Sequence, residues 1–169
     1  MSRLLSLRLP RSAAPAAPAP FAILASMAGA LLAIGAAGAL SQWSGAPWLM
    51  APLGASCVLA FGLPDSPLAQ PRSIVGGHLI AALVGLLVLW GLGDAWWSAA
   101  LAVALALGAM QLTRTVHAPA GANPLVVMAA HPPAHFLVTP VLLGALVVVV
   151  CALMVNNLRQ RGSYPRYWL

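Results

Sequence analysis

Four stretches of this chain, residues 21–40, 74–92, 96–112 and 136–158, run for 17 to 23 residues without an Asp, Glu, Lys or Arg. A helix needs about 20 predominantly apolar residues to cross roughly 30 Å of hydrocarbon, so each run has the length and character of a membrane span. Charged residues make up 6% of the sequence and the mean hydropathy is +0.93, whereas a soluble domain carries about 25% charged residues. Lipid is therefore the main solvent of the folded surface. Trp43, Trp48, Trp90, Trp96 and Trp97 cluster near run ends, where an indole favours the headgroup boundary. At about 20 residues the first run exceeds a signal-peptide core of roughly 7–15, and it reads as a retained helix.

The chain of 169 residues suits one membrane domain, residues 21–158, with halves at about 21–92 and 93–158. A Pro-, Ala- and Arg-rich tail, residues 1–20, lacks an apolar face and is expected to be disordered. A basic aromatic tail, residues 159–169, follows the domain. The net charge of +6 comes from arginines scattered at run ends, not gathered on one face, which argues against nucleic acid as a partner. Cys57 and Cys151 lie inside apolar runs and read as small apolar side chains.

Two shorter apolar segments, residues 52–63 and 119–130, begin with Pro and Gly and span about 18 Å each as helices. They resemble one another. Ala51-Pro52-Leu53-Gly54-Ala55-Ser56 recurs 67 residues later as Ala118-Pro119-Ala120-Gly121-Ala122-Asn123. The same offset lays Gly77 on Gly144 and Leu79 on Leu146. Each half then reads as long helix, broken segment, long helix. The expected fold is an all-α polytopic bundle of four long transmembrane helices and two broken half-helices, arranged as two related, inverted repeats. If both broken segments complete a crossing, all arginines fall on or lead in from one side, and Asp94 falls on the other. The bias of basic residues toward the cytoplasm prefers this to re-entrant segments. It puts both termini on the cytoplasmic side of a cell (inner) membrane.

A half-helix start inside hydrocarbon leaves N–H groups and a partial positive charge that favour an anion or a neutral polar solute. Candidate solute-binding residues are Gly54, Ala55 and Ser56 on the first segment, and Gly121, Ala122 and Asn123 on the second. Arg114 and His117 lead into the second segment, and Arg72 and His78 flank the next long helix. The alternative is that Pro and Gly serve only close helix packing. His131 and His135 are four apart, but Pro132 and Pro133 interrupt any helix between them. No metal site or cofactor is expected. With only Asp65 and Asp94 as acids, no catalytic arrangement is expected either.

Several stretches look like the HPP family of membrane proteins. They are the Ala51–Ser56 motif, Ser66-Pro67-Leu68-Ala69-Gln70-Pro71-Arg72 with Gly77-His78, the run from Arg114 through His117 to Pro124, and Asn156-Asn157 with Tyr164-Pro165-Arg166-Tyr167-Trp168. The family's name-giving His-Pro-Pro falls at His117-Ala118-Pro119, where Ala replaces the first Pro; the literal His131-Pro132-Pro133 stands outside that context. The resemblance implies membrane transport, with nitrite proposed as the solute for plastid and cyanobacterial members. The function expected is a channel or transporter for a small inorganic anion such as nitrite or nitrate, with the bilayer as partner. A non-transporting scaffold or assembly subunit is the alternative, and a histidine-ligated metal or haem protein a third reading. The Gly- and Ala-rich faces are compatible with a homo-oligomer.

Overall fold

The computed structural model of the chain describes residues 14–168; most of the N-terminal tail, with Arg3, Arg8 and Arg11, lies outside them. Six α-helices follow in order: α1 (Pro20–Ser44), α2 (Ala51–Gly62), α3 (Pro71–Leu92), α4 (Trp96–Leu112), α5 (Asn123–Ala130) and α6 (Leu143–Arg159). No strand occurs among the described residues. Proline stands in the first turn of α1, α2, α3 and α5, where its missing N–H costs nothing. α1 ends at Gly45, whose left-handed φ of 69° lets its N–H return to the Ser41 carbonyl.

Three helical stretches are long and apolar enough to cross a membrane, Pro20–Ser44, Pro71–Leu92 and Ala134–Arg159, where four long helices were expected. α4 has the expected boundaries, but its 17 residues make it the shortest of the four runs. The last run is not one straight helix. A 3-10 turn, Ala134–Leu137, and a π-type turn, Val138–Leu142, precede α6. Thr139 leaves helical geometry at φ −125° and ψ 113°, because the ring of Pro140 excludes the helical region from the residue before it. The first broken segment is a continuous helix, α2. The second is a 3-10 turn, Ala118–Ala122, feeding the 8 residues of α5.

Side-chain contacts fix the direction of each element. Ser26 near the start of α1 donates to the Phe61 carbonyl near the end of α2 at 2.7 Å, and Pro18, Gly62 and Arg159 line one groove. At the other end Ala36, Trp48 and Leu143 line another. Arg72 at the start of α3 donates to the Thr113 carbonyl at the end of α4. His131 after α5 pairs with Asp94 in the α3–α4 turn at 3.0 Å. The six helices therefore alternate in direction. Arg72, Arg114, Arg159 and Arg166 gather at one end, and Asp94 lies at the opposite one.

Between helices in lipid there is little hydrophobic drive, so close van der Waals packing of small residues holds the bundle together. Ala33, Ala60, Ala81, Ala82, Ala102, Ala106, Ala145 and Ala152 are all fully buried. Glycines matter where backbones touch. A Cβ on Gly77 would sit 2.7 Å from His117 Cβ and 2.9 Å from the Thr115 carbonyl, and one on Gly144 would sit 2.6 Å from Leu53 Cδ1. Gly77 thus admits the extended stretch entering the second broken segment, and Gly144 admits the first broken segment. Gly54 and Gly121, by contrast, have no atom within 4 Å of an added Cβ. Gly77→Val is expected to destabilise the protein by about 1–3 kcal/mol through overpacking. Gly54→Ala should be neutral or stabilising by up to about 1 kcal/mol. Thermal unfolding of the detergent-purified variants measures both, and equal tolerance at the two positions would contradict this packing.

Candidate functional site

Four polar side chains from separate parts of the chain meet in the interior. Ser56 lies on the inward face of α2, one turn after Pro52, and His78 lies two turns into α3. His117 ends the extended stretch that precedes the Ala118–Ala122 turn, and Asn123 begins α5. Ser56, His78 and His117 are fully buried and Asn123 is 1% exposed. Ser56 Oγ lies 2.8 Å from His78 Nε2 and 2.7 Å from His117 Nε2. The imidazoles meet edge to face, with centroids 5.0 Å apart.

Two backbone carbonyls fix the direction of every bond in this cluster. His117 Nδ1 lies 2.6 Å from the Leu68 carbonyl, which only accepts, so Nδ1 carries a proton. In a neutral ring His117 Nε2 is then an acceptor, and the Ser56 hydroxyl donates to it. The Asn123 amide nitrogen donates to the His78 carbonyl at 2.9 Å, so the atom 3.0 Å from His78 Nδ1 is also that N–H₂ group. His78 Nδ1 therefore accepts, and Nε2–H donates to Ser56 Oγ. One polarised chain results: Asn123 N–H to His78, His78 N–H to Ser56, Ser56 O–H to His117, and His117 N–H to Leu68. His78 must be neutral in it, since a proton on its Nδ1 would face the Asn123 N–H donor to donor. The Pro52 carbonyl, 2.9 Å from Ser56 Oγ, is the hydroxyl's alternative acceptor. Asn123 Oδ1 is buried without a partner.

The structure thus brings together Ser56, His78, His117 and Asn123 and leaves the other candidates apart. Gly54 and Ala55 turn away from Ser56, by about 200° and about 100° of helix respectively, and lie half-exposed and exposed. Gly121 and Ala122 are half-exposed. Arg72 sits at the bundle end, its Nη2 donating to the Thr113 carbonyl at 2.9 Å and capping α4, with Nε buried and unpartnered. Arg114 is exposed there, in the left-handed region at φ 58°. No group of three or more His, Cys, Asp or Glu side chains suited to a metal occurs among the described residues.

Sequence reasoning missed the residues that close the ends of the broken segments. Ser26 and Asn156 donate to the Phe61 and Ala60 carbonyls, satisfying the last turn of α2 from two sides; Ser26 was visible as a lone polar residue inside an apolar run, and Asn156 as half of an Asn pair near the end of another. The Ser66–Arg72 motif is a junction. Leu68 holds His117, the Ala69 carbonyl accepts from Tyr164 Oη at 2.7 Å, and Gln70 binds the Pro64 and Ser66 carbonyls and the Arg166 N–H. Arg166 also pairs with Asp65.

Two predictions follow from these contacts. Ser56→Ala leaves His78 Nε2–H and His117 Nε2 without the serine partner in a closed interior, and each unpaired buried group costs about 1–3 kcal/mol. The variant should unfold well below the parent on heating, while Cys57→Ala, one residue on, should cost less. Burial holds the Tyr164 hydroxyl above its ordinary range. The folded protein therefore keeps that proton more tightly than the unfolded chain, and stability falls as pH rises above about 10. Melting curves against pH should show this fall, and Tyr164→Phe should flatten it; an unchanged slope would contradict the burial.

The sequence from residue 15 to 165 matches the model of the HPP transmembrane region. Two Dictyostelium discoideum proteins, each named only as a transmembrane protein, are similar to it. One is 38% identical over 128 residues, covering 71% of this chain and 45% of the relative, and the other 39% over 129 residues, covering 72% and 42%. The chain thus spans less than half the length of either relative. No solved structure matches it. With the whole membrane domain, the Ser66–Arg72 junction and the buried histidines inside the match, the chain belongs to the HPP family of transmembrane proteins.

Proposed function

We propose that this protein carries a small inorganic anion such as nitrite or nitrate across a cell membrane, and that the Ser56–His78–His117–Asn123 cluster is the centre of its path. In this reading all six helices cross or complete a crossing, α4 included, and the halves α1–α3 and α4–α6 are inverted repeats. The carrying observation is that Ser56 and Asn123, matched positions 67 residues apart, contact the two ring nitrogens of one imidazole, His78. A two-fold relation between repeats puts equivalent residues on opposite sides of a shared centre, where inverted-repeat transporters bind their solutes. Gly77 and Gly144, also matched, each receive the other half's broken segment. The alternating directions and the arginines at one end support a cytoplasmic location for that end.

A buried ionisable pair inside a membrane bundle is costly, and its usual reason is function. The cluster is closed to solvent, which describes the occluded state of a carrier better than an open channel. A scaffold reading draws support from the same closure, because each bond of the cluster is internal. The two part experimentally. Purified protein in liposomes should take up nitrate or nitrite, and Asn123→Ala should cut the rate at least about tenfold, equivalent to about 1.4 kcal/mol. Arg114→Gln, at the mouth, should weaken uptake less. A folded protein that moves neither anion, or one indifferent to Asn123→Ala, would leave the scaffold.

A further inference from the structure

The neutral cluster has no donor to spare. Every N–H and O–H in it already points at an acceptor inside the protein, and its one unsatisfied atom, Asn123 Oδ1, is itself an acceptor. An anion brought to this centre as it stands would meet no donor that could turn to it without breaking an existing bond. One added proton changes that. Placed on His78 Nδ1, it turns the Asn123–His78 contact from donor–acceptor into donor–donor, so that the two N–H groups part and both aim at the space between them.

From this geometry we infer that each anion enters the centre together with one proton, held by the His78–His117 pair, so that the protein is an electroneutral proton–anion symporter. The inference rests on the anion-carrier reading above and names its coupling. Among the described residues nothing else near the pair can balance the added charge. On α2 it faces only the Ser56 hydroxyl, on the Pro67–Ala69 turn a backbone carbonyl, and on α5 the neutral Asn123. α4 offers the apolar Met110, and the α6 amides Asn156 and Asn157 are bound to Ala60, Leu153 and Tyr164. Of the two acids, Asp65 pairs with Arg166 and Asp94 with His131, both exposed. A lone charge in a dry interior is strongly disfavoured, so an imidazolium there needs the anion as its counter-charge, and the anion needs the imidazolium as its donor.

The proton has a path as well as a place. Starting on His78 Nδ1, it moves on by a concerted shift in which His78 Nε2–H passes to Ser56 Oγ while the Ser56 proton passes to His117 Nε2. His78 is left neutral with its proton on Nδ1, His117 becomes the imidazolium, and no other bond is made or broken. His117 Nδ1–H points at Leu68, in the junction at the arginine-bearing end, and release in that direction requires the junction to admit water.

The test uses the whole chain in liposomes loaded with a pH-sensitive dye, with nitrate as the probe because nitrous acid, a weak acid, crosses bilayers uncharged. The expected result is nitrate uptake with one proton entering per anion, a rate that rises by at most about tenfold per pH unit as the outside is acidified and levels off once the pair is protonated, and indifference to an imposed membrane potential. His78→Gln keeps an amide at the position but cannot hold the proton, and should lose the acid dependence. Asn123→Asp supplies a built-in counter-charge and should allow proton uptake without nitrate. Potential-driven nitrate uptake without internal acidification would overturn the symport and leave anion transport standing. Proton entry without nitrate in the parent protein would overturn both, as would movement of neither. Should His78→Gln fail to fold, the proton-to-nitrate ratio of the parent protein still decides.

Discussion

Hydrocarbon offers no hydrogen bonds, so a chain that breaks its helices inside a membrane must satisfy their ends from within the protein. That requirement organises this bundle. α2 ends toward the arginine-bearing end of the bundle, and side chains of α1 and α6, Ser26 and Asn156, take up its last carbonyls. α5 is too short to reach back to the arginine-bearing end, and the extended stretch before it is held by the backbone packing that Gly77 permits. The polar residues in the apolar runs stand where backbone is left over. The exception is the histidine cluster, in which side chains satisfy side chains.

That exception makes the interior chemically directional. A carbonyl at either extremity, Leu68 beyond His117 and His78's own beside Asn123, sets which nitrogen of each ring carries its proton, and a single serine hydroxyl couples the two rings. In a medium of low dielectric such a chain is stiff, because reversing one bond forces the next to reverse. The neutrality of His78 follows from that geometry, and so does the cluster's sensitivity to an added charge. The junction at residues 66–72 links this interior to the surface, since the loop whose carbonyl ends the chain is also pinned by Tyr164 and Arg166 from the C-terminal tail.

Much of this was legible in the sequence. Charge-free runs gave the helices within a few residues, and the recurrence of A-P-x-G-A picked out positions 56 and 123, which share one imidazole in the structure. Helical phase was harder to read. Gly54 and Ala55 sit within two residues of Ser56 in sequence but turn about 200° and about 100° away from it, and only knowing which face packs inward separates them. Arg72 looked like a solute ligand because charge near a span invites that reading, yet it caps α4. The irregular start of the last run was signalled by Pro140, which a hydropathy pattern overlooks. The Leu68 carbonyl carries no sequence signal at all, since every residue has one.

The account turns on the proton positions in the buried pair, and nitrogen-15 NMR of histidine-labelled protein in lipid bilayers reads them directly. It predicts two neutral rings of opposite tautomer near neutral pH, His78 protonated on Nε2 and His117 on Nδ1, with Ser56→Ala disturbing both signals. Two rings of the same tautomer, or either ring charged in the absence of an anion, would contradict it.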